Sequence, residues 1–120
     1  MKPVFLTTTA LVATICATTL SANPTKIRKA ADFERTVVGK TLNYSDGTFI
    51  RITPGKLSGK MADGRNIVGA WNWQGRFFCR NVKIGNAAIN ADCQAVTLEG
   101  DIVTFIRDKG RGRALSATLK

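Results

Sequence analysis

The chain has 120 residues, enough for one small domain, and it contains three cysteines and no histidine. Its 18 lysine and arginine residues outnumber 8 aspartate and glutamate residues, and the net charge of +10 favours anionic partners. Catalysis by serine–histidine or cysteine–histidine pairs is excluded, and no two cysteines have the spacing of a zinc-binding CxxC pair. The few carboxylates are best assigned to turns and one charge pair, so no catalytic residue, metal site or cofactor is predicted.

Residues 1–22 have the layout of a secretory signal peptide. Lys2 precedes an uncharged segment, Val4 to Leu20, that is rich in Val, Leu, Ile, Ala and Thr and is followed by the small residues Ser21 and Ala22. A membrane anchor is the alternative, but the segment is short and rich in threonine for a span of about 20 apolar residues. The mature chain is therefore predicted to have no transmembrane helix.

The cysteine count supports export. Cys16 lies within the predicted leader, but Ile15 precedes it where a lipoprotein signal has a small residue, so lipidation is not expected. Cleavage after Ala22 removes Cys16 and leaves the even pair Cys79 and Cys93. Such a pair is typical of a disulfide formed in an oxidising space, and the mature chain is predicted to be periplasmic or secreted.

Residues 23–39 are predicted to form a basic lead-in followed by one short helix. Asn23 to Lys29 is polar and basic and is expected to be loose. Ala30 to Val38 is predicted to be helical, with Asp32 as its cap and Gly39 at its end. The β-branched residues near its end would also suit a strand.

From residue 40 to residue 120, turn signals at roughly ten-residue spacing predict a domain of about eight short antiparallel strands. These strands are Thr41 to Tyr44, Thr48 to Thr53, Lys56 to Met61, the region of Ile67 to Trp73, Arg76 to Val82, Ile89 to Leu98, Asp101 to Arg107 and Arg113 to Leu119. Short turns between successive strands favour an up-and-down barrel, with a sandwich as the alternative. The fold class is therefore all-β, and the interior is expected to be filled by side chains rather than to hold a roomy pocket.

The stretch from Gly69 to Gln94 holds both tryptophans. Ile67, Trp71 and Trp73 alternate with polar residues, as in a half-buried strand. Packing in the core is the favoured role of Trp71 and Trp73, and an aromatic platform for a sugar or another flat ligand is the alternative.

A hairpin about Asn86 places Cys79 opposite Cys93 and Arg80 opposite Asp92. Directly opposed residues of antiparallel strands lie close enough for a disulfide. We therefore predict a Cys79–Cys93 disulfide on the inner face and an Arg80–Asp92 charge pair on the outer face. In the chain-entropy model this bond contributes roughly 3 kcal/mol, and two free buried thiols are the alternative.

The densest basic cluster consists of Arg107, Lys109, Arg111 and Arg113. A phosphate-binding loop follows a strand and opens a helix, but here a second strand is predicted to follow, which favours a hairpin loop with solvated arginines. With Arg80, the three arginines of the cluster are candidate binding residues for an anionic envelope component or an acidic protein. No nucleic-acid-binding motif is present, so nucleic acid is not expected as a partner. Alternatively, these basic side chains serve only to keep the protein soluble.

A set of motifs covers nearly all of the mature chain: Phe33, Val38 to Leu42, Gly69-x-Trp71-x-Trp73, Phe78-Cys79-Arg80, Asp92-Cys93-Gln94 and Phe105-x-Arg107-Asp108-x-Gly110-x-Gly112. This pattern resembles a group of small exported bacterial domains, often of unknown function, some of which carry the label "dihydrodipicolinate reductase". A reductase of that kind needs a nucleotide-binding βαβ unit, which this sequence does not predict. A looser, fold-level similarity is to small periplasmic β-barrel inhibitors of proteases or lysozyme, although lysozyme is itself basic.

The sequence predicts a non-catalytic periplasmic binding or interaction module with a basic surface. The first alternative is an inhibitor of a secreted hydrolase, in which the Asn23–Ala31 segment projects into its target. The second is a small enzyme that acts on an anionic substrate through Arg80, Asp92, Arg107 and Asp108.

Overall fold

The computed structural model describes residues 3–4, 10–14 and 23–120, so most of the predicted signal peptide lies outside the described residues. Within these residues, one short helix (α1), one four-residue helical turn (α2) and nine strands follow in the order β1 (Thr25–Ile27), α1 (Ala30–Thr36), β2 (Thr41–Asn43), β3 (Phe49–Thr53), β4 (Lys56–Lys60), β5 (Asn66–Gln74), β6 (Phe77–Ile84), β7 (Ala87–Glu99), β8 (Ile102–Ile106), α2 (Arg107–Gly110) and β9 (Ala114–Leu119). Among the described residues, no helix is long and apolar enough to cross a membrane.

Strands β2 to β9 form a closed antiparallel barrel. Each strand pairs with the next along the chain, and β9 closes the cycle by pairing with β2, where Leu42 lies opposite Leu119. Closure leaves no free edge between the first and last barrel strands. The predicted all-β, eight-stranded up-and-down barrel is confirmed, and the sandwich alternative is not observed.

β1 lies outside this cycle and pairs with the C-terminal half of β7. Ile27 lies opposite Val96, and its side chain is buried. β7 is 13 residues long and extends beyond its pairing with β6, which leaves an edge that β1 can complete. The expectation of a loose lead-in is therefore wrong from Thr25 to Ile27.

α1 begins at Ala30, as predicted, but Asp32 does not cap it. The N-cap residue is Lys29, and no side chain caps the helix. Asp32 lies within the first turn and pairs with Arg35 at 2.8 Å. The helix ends at Thr36, two residues before the predicted end at Val38, and Val37 is its C-cap residue.

α1 closes one end of the barrel with an aromatic cluster. Phe33 is fully buried, and its ring centroid lies 5.1 Å from Trp71, 5.2 Å from Trp73 and 5.1 Å from Phe78. Phe78 continues the cluster to Phe105, 5.2 Å away. Aromatic contacts at these distances contribute beyond the apolar area they bury. The interior at this end is therefore filled, as expected from the sequence.

The β6–β7 hairpin has the predicted register. Cys79 lies opposite Cys93 and forms the disulfide, and Arg80 lies opposite Asp92. The predicted faces, however, are reversed. Trp71 on β5 faces the interior and lies opposite Arg80, so Arg80 also faces inward and the disulfide lies on the outer face.

A β-bulge explains this error. Between the pairs Arg80–Asp92 and Val82–Ile89, β6 advances two residues and β7 advances three. The extra residue on β7 reverses the alternation of its side chains. A strict period-two count from Ile89 therefore assigns Cys93 to the inside and Asp92 to the outside, whereas the bulge turns Asp92 inward.

Two inward glycines allow neighbouring strands to approach closely. A Cβ atom at Gly59 would collide with the backbone oxygen of Phe49, and one at Gly69 would collide with that of Asn81. Any side chain at either position would force the strands apart. These glycines therefore permit the close approach of β4 to β3 and of β5 to β6.

Candidate ligand-binding lumen

The half of the barrel away from α1 contains a lumen of about 670 Å³. Phe78 and Phe105 form its floor, where the aromatic cluster ends. Its mouth lies between the β2–β3 and β8–β9 turns and is lined by Ser45, Asp46, Arg107 and Arg113. The expectation of a filled interior is therefore wrong for this half, because the large aromatic side chains gather at the α1 end.

The wall of the lumen is mainly aliphatic. It includes Leu42, Ile50, Ile52, Leu57, Ile67, Val82, Ile84, Ile89 and Leu115. Ile52, Leu57 and Ile67 are almost completely buried and belong to the hydrophobic core. An apolar ligand in this space would gain roughly 25 cal/mol for each Å² of apolar surface removed from water.

Three arginines interrupt this apolar wall. Arg80 comes from β6, Arg107 follows β8 and Arg113 precedes β9, and all three line the lumen. Arg80 donates to the backbone oxygen of Asn90 at 2.8 Å, and Arg107 Nε lies 3.5 Å from Asp92 Oδ2. Arg113 forms no ion pair with any carboxylate of the described residues. The lumen therefore has a surplus of positive charge.

Asp92 organises the arginine side of the lumen. Its Oδ2 atom accepts a hydrogen bond from Gln94 Nε2 at 3.0 Å, and its Oδ1 atom accepts one from the backbone N–H of Asp108 at 3.1 Å. Partial burial raises the pKa of Asp92, but these hydrogen bonds and the charges of Arg80 and Arg107 outweigh it and hold the pKa below its usual value. Asp92 is therefore a charged positioning group and a weak base.

Burial shifts the pKa values of two residues that line the lumen, Arg80 and Tyr44. Burial, and then the nearby charge of Arg107, lowers the pKa of Arg80. Burial raises the pKa of Tyr44 to about 12, so its hydroxyl stays neutral and can donate a hydrogen bond at physiological pH. Two arginines close enough to repel each other are stabilised by a bound anion.

The β8–β9 turn, which contains Arg107 and Arg111, has an uncommon backbone conformation. Asp108 and Lys109 both have positive φ, 51° and 54°, which is uncommon for residues other than glycine. The hydrogen bond from Asp108 N–H to Asp92 stabilises this turn. The turn directs Arg111 to solvent, where it pairs with Asp108 at 3.3 Å. Arg111, a candidate binding residue from the sequence, does not line the lumen.

Trp71 and Trp73 lie at the closed end. The indole N–H of Trp71 donates to the backbone oxygens of Thr53 at 2.8 Å and Lys56 at 3.1 Å, and that of Trp73 donates to Gly75 at 2.9 Å. Both rings pack against the core. They therefore form part of the aromatic cluster with Phe33 and present no free stacking platform.

Sequence reasoning missed Tyr44 and Gln94 as lumen residues. Tyr44 shares inward alternation with Leu42, so its position was readable from the strand pattern. Gln94 was assigned to the outer face together with Asp92, since a single sequence contains no clear signal for the bulge. Gln94 is buried and lies between Asp92 and the floor residue Phe78.

Comparison of this chain with protein-family models, with curated proteins and with solved structures finds no match. The family resemblance drawn from the sequence motifs therefore remains a prediction. Among the described residues, no group of three or more histidine, cysteine, aspartate or glutamate side chains is placed to hold a metal ion.

Proposed function

We propose that this chain is a non-catalytic binding protein whose lumen holds a small amphipathic molecule with an apolar body and an anionic group. The observation that carries this proposal is the combination of an aliphatic wall with three arginines, Arg80, Arg107 and Arg113, in one space. Aliphatic side chains favour burial of an apolar body, and guanidinium groups favour a carboxylate, sulfate or phosphate.

The size of the lumen supports a small-molecule ligand. Its volume of about 670 Å³ falls within the range of roughly 300–1,000 Å³ typical of such sites. The floor at Phe78 and Phe105 is apolar, Arg80 and Arg107 each lie two residues further along the chain from these rings, and Arg113 lies at the mouth. An extended ligand would therefore place its apolar body along the aliphatic wall and its anionic group beside the arginines.

Charge at the mouth supports an anionic group. Asp46 Oδ1 already accepts a hydrogen bond from the backbone N–H of Thr48 at 2.8 Å, and Asp92 is engaged by Gln94 and Asp108. Neither carboxylate pairs with Arg113. A ligand carboxylate near Arg113 would form a charge-assisted hydrogen bond without displacing an existing partner.

The same geometry favours binding over the two alternatives. An enzyme acting through Arg80, Asp92, Arg107 and Asp108 would need a base, but the lowered pKa of Asp92 makes it a weak one. An inhibitor that uses the Asn23–Ala31 segment would need that segment to project. Its residues Thr25–Ile27 pair with β7 instead, and Ile27 is buried.

Two observations support the proposed compartment. The Cys79–Cys93 disulfide indicates an oxidising, extracellular-type environment. The leader-like residues 1–22 support the more specific proposal that the mature chain is periplasmic or secreted. Ligands that occur outside the cytoplasm, such as single-chain lipids with an acidic headgroup, suit that setting.

Calorimetric titration with dodecanoate and dodecanol tests the proposal, because the two molecules share a chain and differ in charge. We expect dodecanoate to bind at least about tenfold more tightly than dodecanol. Arg113→Gln should remove most of this preference. Arg111→Gln, in the same turn but directed to solvent, serves as the matched control and should leave it unchanged.

A pair of valine variants tests where the ligand binds. Val82→Trp adds bulk inside the lumen, whereas Val68→Trp adds the same bulk on the outer face of the adjacent strand. We expect dodecanoate binding to be lost in the first variant and kept in the second. Failure of the natural chain to bind either ligand, or equal binding by both tryptophan variants, would overturn the proposal.

A further inference from the structure

The outer face of strands β3 to β6 carries exposed basic residues that the lumen does not use. The strand register aligns Arg51, Ser58, Val68 and Lys83 in one row across four strands. Lys56 and Lys60 lie on β4 on either side of this row. We call this surface the basic wall and define it by Arg51, Lys56, Lys60 and Lys83, together with the exposed apolar residues Phe49 and Val68.

No carboxylate lies among the strand residues of the basic wall. The nearest acidic residues along the chain, Asp46 and Asp63, lie in the turns at its edge. Asp63 pairs with Arg65 at 2.8 Å, and Asp46 accepts the N–H of Thr48. None of the four cations of the wall forms an ion pair within the described part of the chain. Their charge is therefore available to an external partner.

The spacing of these cations excludes a single small anion as the partner. Three strand spacings separate Arg51 from Lys83, a distance of about 14 Å, and four residues along β4 separate Lys56 from Lys60 by about 13 Å. The wall is the outside of a barrel and is convex, and none of its four cations lines the lumen or the shallow pocket beside the disulfide, both formed by described residues. Such a surface suits a partner that presents many anionic groups over a wide area.

Exposed apolar side chains lie within the same wall. Val68 is 51% exposed in the row between Arg51 and Lys83, and Phe49 is 41% exposed opposite Lys60. Cations that surround apolar side chains are typical of surfaces that lie on a bilayer, where headgroups pair with the cations and apolar groups enter the interface. A hydrated soluble polyanion offers no partner for Phe49 and Val68.

We propose that the basic wall docks this protein on an anionic lipid bilayer. Lateral mobility lets anionic headgroups gather under widely spaced cations, whereas a folded acidic protein would need a fixed complementary pattern. Phe49, Lys60 and Asn66 form the row of the wall that lies nearest the β2–β3 and β4–β5 turns. These turns belong to the lumen end of the barrel, so docking places the mouth beside the membrane.

Vesicle co-sedimentation tests this inference with the intact chain. The probes are vesicles of phosphatidylcholine alone and of phosphatidylcholine mixed with phosphatidylglycerol. We expect binding only to the anionic vesicles, with loss at high salt because exposed charges are screened. Absence of binding to the anionic vesicles at low salt would overturn the proposal.

Charge variants assign the binding to the wall. We expect the quadruple variant Arg51→Gln, Lys56→Gln, Lys60→Gln, Lys83→Gln to lose more than about a hundredfold in affinity for anionic vesicles, given roughly fivefold for each cation. The matched control Lys29→Gln, Arg76→Gln, Arg111→Gln, Lys120→Gln removes the same charge from exposed positions outside the wall and should lose much less. Equal losses in the two variants would mean that net charge alone drives binding and would overturn the proposal.

Two further measurements separate this inference from other partners and from the lumen. Retention on a heparin resin through the wall, without vesicle binding, would overturn the membrane proposal and assign a soluble polyanion. Phe49→Ser and Val68→Ser together should weaken vesicle binding while leaving heparin retention unchanged. Val82→Trp, which fills the lumen without changing any charge, should leave vesicle binding unchanged, so either proposal can fail without the other.

Discussion

The two ends of the barrel interior differ in composition and in packing. At the α1 end, Phe33, Trp71, Trp73 and Phe78 are in ring contact, and both indole N–H groups have backbone acceptors. At the other end, shorter aliphatic side chains and three arginines surround a lumen. The closed end is thus tightly packed, whereas the open end has charged side chains beside an apolar space that no side chain fills.

The difference follows from where the large side chains are attached. Aromatic residues enter one end from α1, from the end of β5 and from the start of β6, so they meet and exclude water. The arginines come from the middle of β6 and from both sides of the β8–β9 turn. A closely packed interior contributes dispersion and apolar burial, whereas charges placed in an apolar wall lower stability unless a ligand or an ion pair compensates.

The largest expected effect is at the closed end. Phe33→Ala removes the central ring of the aromatic cluster and should lower the free energy of unfolding by about 3–5 kcal/mol. Urea denaturation followed by tryptophan fluorescence measures this change. Phe49→Ala, which removes an exposed ring from the outer face, should cost less than about 1 kcal/mol. A similar loss in both variants would contradict the assignment of the core to the α1 end.

Loss of the disulfide is expected to have the second-largest effect on stability. The double variant Cys79→Ala, Cys93→Ala should lower the free energy of unfolding by about 3 kcal/mol, because a closed loop restricts the unfolded chain. The natural chain in excess reductant should show the same decrease, whereas reductant should not affect the double variant. If reductant leaves the stability of the natural chain unchanged, the bond contributes nothing to folding.

Asp92 gives the expected pH dependence. Its pKa in the folded protein lies below the unfolded value of about 3.9, so its contribution to stability is complete above that value and is lost as the pH falls through the folded pKa. Asp92→Asn should cost about 1 kcal/mol at neutral pH and should make stability less sensitive to acid. Glu34→Gln, an exposed change on α1, is the control. Parallel acid-denaturation curves for Asp92→Asn and the natural chain would contradict this role.

The smallest effect is expected at Arg111. This side chain is exposed and, among the residues that the structure describes, pairs only with the exposed Asp108, so Arg111→Gln should change the free energy of unfolding by less than about 0.5 kcal/mol. Thermal denaturation at low and high salt measures it. A larger loss would show that the β8–β9 turn depends on this ion pair, and the variant would then be unsuitable as a control for the lumen.

Several features of this protein followed from local sequence. Asp46 and Asp63, each followed by glycine, predicted turns, and in the structure each aspartate accepts the N–H two residues ahead. Alternation between such turns predicted the strands, and the hairpin about Asn86 predicted the pairing of Cys79 with Cys93. These predictions succeeded because turn chemistry and cross-strand register depend on residues close together in the chain.

The faces of β7, the lumen and the basic wall required the tertiary structure. One extra residue in β7 turns Asp92 and Gln94 inward, and only its pairing with β6 shows where that residue lies. The lumen lies beyond the end where the aromatic side chains of α1, β5 and β6 meet, and the basic wall exists because four strands align Arg51 with Lys83. The sequence alone determined the strands and their turns. Which side chains lie together on each face was decided by packing between segments that are distant in the chain, and no local pattern predicts such contacts.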